Sequence, residues 1–217
     1  MNMKTLSLIS IFTFGLAAVL VAADAKPLYE NNFEKADVGK VPEDFLVLDG
    51  GFVVKEESGN KFLELPGAPL DNFGVLFGPT ETANVAVSAR IHGTGKGRRF
   101  PAFGVGLNGV GGYKIQITPA KKVIELFKGE DVVASAPYTW ESDAWTMLRL
   151  QVRKVKEGEF VMEGKAWKQG AEEPKAWIIS HPEKGEITAG RASVWGNPFS
   201  GTPIRFDDLQ VQRVSDK

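Results

Sequence analysis

The chain has 217 residues, with 26 Lys and Arg against 27 Asp and Glu and a formal charge of −1. That balance excludes the basic surface of a nucleic-acid binder and the polybasic patch of a protein drawn to anionic membranes. No cysteine is present, which excludes disulfides, thiolate metal ligands and lipid attachment at an N-terminal cysteine.

Lys4, an apolar run from Leu6 to Val21 and the small-x-small triplet Ala23-Asp24-Ala25 form the layout of a secretory signal peptide. Removal of residues 1–25 is therefore expected, leaving residues 26–217 as one domain that is secreted or periplasmic. No later apolar run is long enough to span a bilayer, so no membrane insertion is expected after that removal. Export of a cysteine-free chain of this size suits a bacterial route.

Leu28 to Phe33 reads as a first strand and Phe45 to Leu48 as a second. Asp49-Gly50-Gly51 has hairpin chemistry and pairs the second strand, by expectation, with Phe52 to Lys55. Ser58-Gly59-Asn60 turns into Lys61 to Leu65, and Phe73 to Phe77 follows a loop. Asn84 to His92 alternates most cleanly: Val85, Val87, Ala89 and Ile91 face a core, and Ser88, Arg90 and His92 face away. The glycine-rich stretch His92 to Phe100 precedes another strand, Ala102 to Leu107, not a helix, so it is no phosphate loop; it reads as a surface loop, with contact of Arg98 and Arg99 to an anion or acidic sugar as the alternative. Tyr113 to Thr118 sets Tyr113, Ile115 and Ile117 against Lys114, Gln116 and Thr118. Lys121 to Lys128, Asp131 to Ser135, Trp145 to Lys154, Glu159 to Lys168 and Lys175 to Ser180 continue at spacings typical of a sandwich. Arg191 to Trp195 and Ile204 to Gln212 close the series around a loop rich in Gly and Pro. This pattern predicts an all-β, two-sheet antiparallel sandwich without helices.

Few residues carry obvious chemistry. The i, i+2 acid pairs Glu141/Asp143 and Glu157/Glu159 fall in turns, where they are solvated charges and not a hydrolytic pair on a strand. His92 and His181 are the only histidines and lack metal-ligand spacing, and no nucleophile elbow occurs. Arg149, Gln151 and Arg153 make the polar face of a strand that suits either a sugar-binding surface or a solvated sheet. Among the five tryptophans, Trp167 and Trp195 share faces with polar neighbours and could stack on a sugar ring.

The close of the chain, a glycine-led strand, a loop and then Phe206-Asp207-Asp208-Leu209-Gln210-Val211, resembles the concanavalin A-like lectin/glucanase jelly rolls. So does its opening: Asn32-Phe33-Glu34, then Gly39, Pro42 and Phe45. Within that superfamily it is most similar to laminin-G-like domains and to bacterial domains of the 3-keto-disaccharide hydrolase type. The resemblance implies a jelly roll that binds carbohydrate, without catalysis, through Arg90, His92, Gln116, Arg149, Gln151, Trp167 and Trp195. It also implies a structural calcium ion held by Glu34, Asp37, Asp207 and Asp208. A glycan-cleaving enzyme of the same fold, and a structural or adhesive envelope protein, are the alternatives.

Overall fold

The computed structural model describes residues 26–67 and 71–214; the expected signal segment, residues 1–25, lies outside them. Among the described residues fifteen strands form the fold, beginning with β1 (Tyr29–Asn31), β2 (Leu46–Asp49), β3 (Val53–Glu57), β4 (Asn60–Leu65) and β5 (Phe73–Glu81). The middle of the chain supplies β6 (Val85–Gly93), β7 (Ala102–Leu107), β8 (Tyr113–Thr118), β9 (Val123–Lys128) and β10 (Asp131–Pro137). The rest are β11 (Ala144–Lys156), β12 (Glu159–Lys168), β13 (Ile179–Lys184), β14 (Gly190–Asn197) and β15 (Ile204–Arg213). Among the described residues the helical content is a single 3₁₀ turn, Pro119–Lys121. No helix there is long and apolar enough to cross a membrane.

The strands make two antiparallel sheets. The eight-stranded sheet runs β13-β12-β11-β6-β15-β4-β3, with β1 also paired to β15, and the seven-stranded sheet runs β10-β9-β8-β7-β14-β5-β2. Period-two alternation decides which side chains meet between them. Val85, Val87, Ala89 and Ile91 of β6 and Leu148, Leu150 and Val152 of β11 face Phe103 and Val105 of β7 and Ile115 and Ile117 of β8 in one core. Phe33, Phe77, Phe103 and Phe206 are almost wholly buried, each contributing on the order of 1.5–3 kcal/mol relative to exposure. The sheets approach closely at Gly164 of β12, where an added Cβ would stand 2.0 Å from Ile115 Cδ1 of the opposite sheet. A larger side chain there would require the end of the Ile115 side chain to move.

Two readings of the sequence are corrected. Asp49-Gly50-Gly51 does not close a hairpin: β2 pairs with β5 in the seven-stranded sheet, whereas β3 pairs with β4 in the eight-stranded sheet. The segment crosses from one sheet to the other, with Gly50 at φ +100° fitting against Phe73 and Leu65. The strand placed at Lys175 to Ser180 lies later, at Ile179–Lys184, so Trp177 belongs to the approach to β13.

Candidate functional site

The outer face of the eight-stranded sheet collects five of the seven expected ligand-binding residues. Ladder register puts Arg149 of β11 opposite Ser88 of β6 and Lys165 of β12, Gln151 opposite Glu163, and Met147 opposite Arg90 and Trp167. Trp145 lies opposite His92, which in turn faces Arg205 of β15. Arg90, His92, Arg149, Gln151 and Trp167 therefore share one surface on three neighbouring strands. Gln116 and Trp195 sit on the outer face of the other sheet, with the whole core between them and that surface. Trp195 is only 9% exposed. Its indole lies flat on Gly74, where an added Cβ would be 2.6 Å from the ring, and its Nε1 donates to Ser193 Oγ at 2.8 Å. Gln116 is also buried, donating to Thr118 Oγ1 at 3.3 Å, and Thr118 donates to Glu125 at 2.6 Å. Both side chains are held by packing and local hydrogen bonds, and Trp195 also borders a small depression with Asn72 and Lys114.

At one end of the polar face stands a built charge cluster. Arg90 Nη2 donates to Asp207 Oδ2 at 2.5 Å and to Asn60 Oδ1 at 2.8 Å, and its Nε lies 2.9 Å from Asp208 Oδ2. Its guanidinium stacks over Trp145 at 4.7 Å. Successive strand residues ordinarily point to opposite faces, yet Asp207 and Asp208 both reach Arg90. The cause is a bulge in the β15–β6 register between Asp207 and Gln210, with Asp208 at φ +48°. Burial pushes the Asp207 carboxyl above its ordinary range, against the pull of Asn60, the Asp208 N–H and Arg90. His92 Nε2 lies 3.3 Å from Asp143, and its ring packs 5.4 Å from Trp145. Burial, with Arg205 nearby, holds its imidazole below the ordinary value, so it is neutral near pH 7.

Asp207 is fully buried and Asp208 is half exposed. The proposed calcium ligands do not fit a calcium ion. Asp207 is occupied by Arg90, Asn60 and the Asp208 N–H, Glu34 Oε1 accepts from the Lys61 N–H at 3.1 Å, and Asp37 pairs with Lys40 at 3.0 Å. Among the described residues no three His, Asp or Glu side chains group as a metal site.

Further along the same face Arg149, Gln151, Arg153, Glu163, Trp177 and Arg213 line an open depression of about 470 Å³. A second one of about 670 Å³, walled by Ser88, Met147, Asp208 and Gln210, adjoins it, because Ser88 is the ladder neighbour of Arg149. Gln151 donates to Glu163 at 2.7 Å. Trp177, which the sequence pattern places in an ordinary strand, covers the ammonium of Lys165 at 4.3 Å. That ammonium is satisfied by the Pro174 carbonyl at 2.7 Å and Glu173 at 2.8 Å. The local signal for Trp177 was its place just after the polar, proline-containing stretch Glu172-Glu173-Pro174-Lys175, which suits a loop rim better than a strand.

The face thus offers half-buried aromatic rings beside planar hydrogen-bonding groups, chemistry suited to a ligand with one apolar side and many hydroxyls. Its carboxylates are held by cations or amides: Asp207 by Arg90, Glu163 by Gln151 and Glu64 by Arg205 at 3.7 Å. Tyr113 turns to the interior of the other sheet, with its hydroxyl on Glu183 at 2.9 Å.

No protein-family model matches the sequence, and no curated protein matches it. Solved structures do match its shape. A Bacillus subtilis protein of unknown function with a galectin-like fold superposes with a TM-score of 0.63 at 12% identity, covering 90% of this chain and 99% of that one. The carbohydrate recognition domain of Emp46p in its metal-free form gives 0.58 at 13% identity over 86% and 97%. The carbohydrate binding module CBM66 of Bacillus subtilis gives 0.55 at 10% identity over 78% and 95%. With the two sheets described above, these likenesses show the fold, a two-sheet antiparallel jelly-roll sandwich of the galectin-like kind.

Proposed function

We propose that the protein is an exported, non-catalytic carbohydrate-binding domain whose ligand lies across the outer face of the eight-stranded sheet. The observation that carries this reading is the depression in which Trp177 stands beside Arg149, Gln151 and Arg153. An indole offers a flat apolar platform to the C–H face of a sugar ring, and guanidinium and amide groups supply the planar donors that orient its hydroxyls. Two of the structural neighbours are themselves described as carbohydrate-binding or carbohydrate-recognition domains, which supports the reading. Export rests on the pattern of residues 1–25. The absence of catalysis rests on the carboxylates of the face, which are engaged in ion pairs and hydrogen bonds, whereas glycoside hydrolysis needs an opposed acid and base or nucleophile.

The test is a glycan array probed with the purified protein and with Trp177→Ala. Selective binding by the native chain, weakened about tenfold or more in the variant, is expected from the loss of one stacked ring. Binding to no glycan, or binding indifferent to Trp177, would count against the reading.

A further inference from the structure

Resting on that reading, we propose that the ligand is an acidic glycan, and that Arg149 and Arg153 bind its carboxylate groups in the depression beside Trp177. The first observation is a like-charge pair. Arg149 and Lys165 are direct cross-strand neighbours on one face of β11 and β12, an arrangement that disfavours the sheet unless an anion lies between them. Glu173 is the only carboxylate paired with either one among the described residues, and it is committed to Lys165: it lies 2.8 Å from that ammonium but 3.9 Å from Arg149 Nε. The second observation concerns Arg153. Its nearest carboxylate, Glu163, stands 3.5 Å from Nε and already accepts a 2.7 Å hydrogen bond from Gln151.

Among the described residues, then, neither guanidinium donates a hydrogen bond, although their side chains are only 21% and 24% exposed. Three cations, Arg149, Arg153 and Lys165, meet two carboxylates, Glu163 and Glu173, which leaves one positive charge over. Arg213 at the rim does not change this, because Glu81 pairs with it at 3.1 Å. A partly desolvated guanidinium with its planar fork unfilled matches a carboxylate in two parallel hydrogen bonds. A hydroxyl offers less to the same fork and leaves the surplus charge uncompensated. The face should therefore discriminate by charge, with Trp177 supplying stacking to acidic and neutral rings alike.

The experiment is an array of uronate and sialyl oligosaccharides, each printed beside its carboxyl-reduced neutral counterpart, followed by titration of the purified protein with the best pair. The acid form is expected to bind at least about tenfold more tightly than the reduced form. Arg149→Gln and Arg153→Gln are each expected to lose most of that preference, with a smaller loss of affinity for the reduced form, whose hydroxyls the same guanidinium groups orient. Arg149→Lys keeps the charge and stem and is expected to recover only part of it, because the fork is gone. Lys122→Gln, the same loss of charge beside the other sheet, is expected to leave binding unchanged. Equal affinity for acid and reduced forms, or a preference that survives Arg149→Gln and Arg153→Gln together, would overturn the acidic assignment while leaving sugar binding intact. Failure of every glycan, acid or neutral, to bind would overturn both.

Discussion

Removing either side of the Arg90–Asp207 pair should expose how the polar face is held together. Asp207 is fully buried and bonded to Arg90, Asn60 and the Asp208 N–H, while the Arg90 side chain is 15% exposed. Loss of one member of a buried ion pair costs about 3–5 kcal/mol. Asp208 stays near Arg90 Nε and softens the loss, so Asp207→Leu should cost about 3 kcal/mol, or roughly 6–12 °C in Tm for a domain of this size. Arg90→Met strands a charge that can be neutralised: burial already pushes the Asp207 carboxyl upward, so its penalty should shrink as the pH falls. The penalty of Asp207→Leu should not shrink, because a guanidinium keeps its proton. The double variant replaces the pair with apolar side chains beside Met147 and Phe62 and is expected to lose no more than about half of either single loss. Chemical denaturation of the four proteins, read by far-UV circular dichroism, completes the cycle. A double variant that loses the sum of the two single effects would refute the argument that the pair acts as one buried unit.

Two further outcomes follow from the packing and the one perturbed histidine. Gly164→Ala should cost about 1–3 kcal/mol by driving a Cβ into Ile115 Cδ1, and adding Ile115→Val, which removes that atom, should return part of the loss; additive losses in denaturant melts would contradict the sheet spacing. His92 is held below its ordinary 6.5, so the unfolded chain takes up this proton first as the pH falls. Its contribution to stability is complete above pH 6.5 and is lost as the pH drops towards the lower folded value. His92→Gln should flatten that part of the Tm-versus-pH curve, and an unchanged slope would contradict the assignment.

Most of the architecture was legible because alternation is a local signal. Val85 to His92 and Tyr113 to Thr118 read correctly residue by residue, since each strand has one face in the core and one outside. Which sheet a strand joins is not local. Asp49-Gly50-Gly51 has hairpin chemistry, yet the strands on either side of it part to opposite sheets, because β2 finds its partner in β5. The same blindness placed Gln116 and Trp195 in one site with Arg90 and Arg149: each was correctly set on an outer face, but of different sheets. Trp195 looked like a platform because Arg191 and Ser193 share its face. The glycine that lets its ring lie flat, Gly74, is far away in the chain. The resemblance puts Asp207 and Asp208 on a metal ion, and nothing in Phe206-Asp207-Asp208 announces the bulge that turns both carboxylates towards Arg90. Trp177 was missed because its importance comes from Lys165 beneath it, on a different strand.

The most direct test of the account is to map a bound glycan on the protein by amide chemical-shift perturbation, titrating the labelled protein with the best ligand from the array. Shifts concentrated on β11, β12 and the approach to β13, around Arg149, Gln151, Lys165 and Trp177, are the predicted result. Shifts concentrated on β7, β8 and β14, around Gln116 and Trp195, would place the ligand on the other sheet and contradict it.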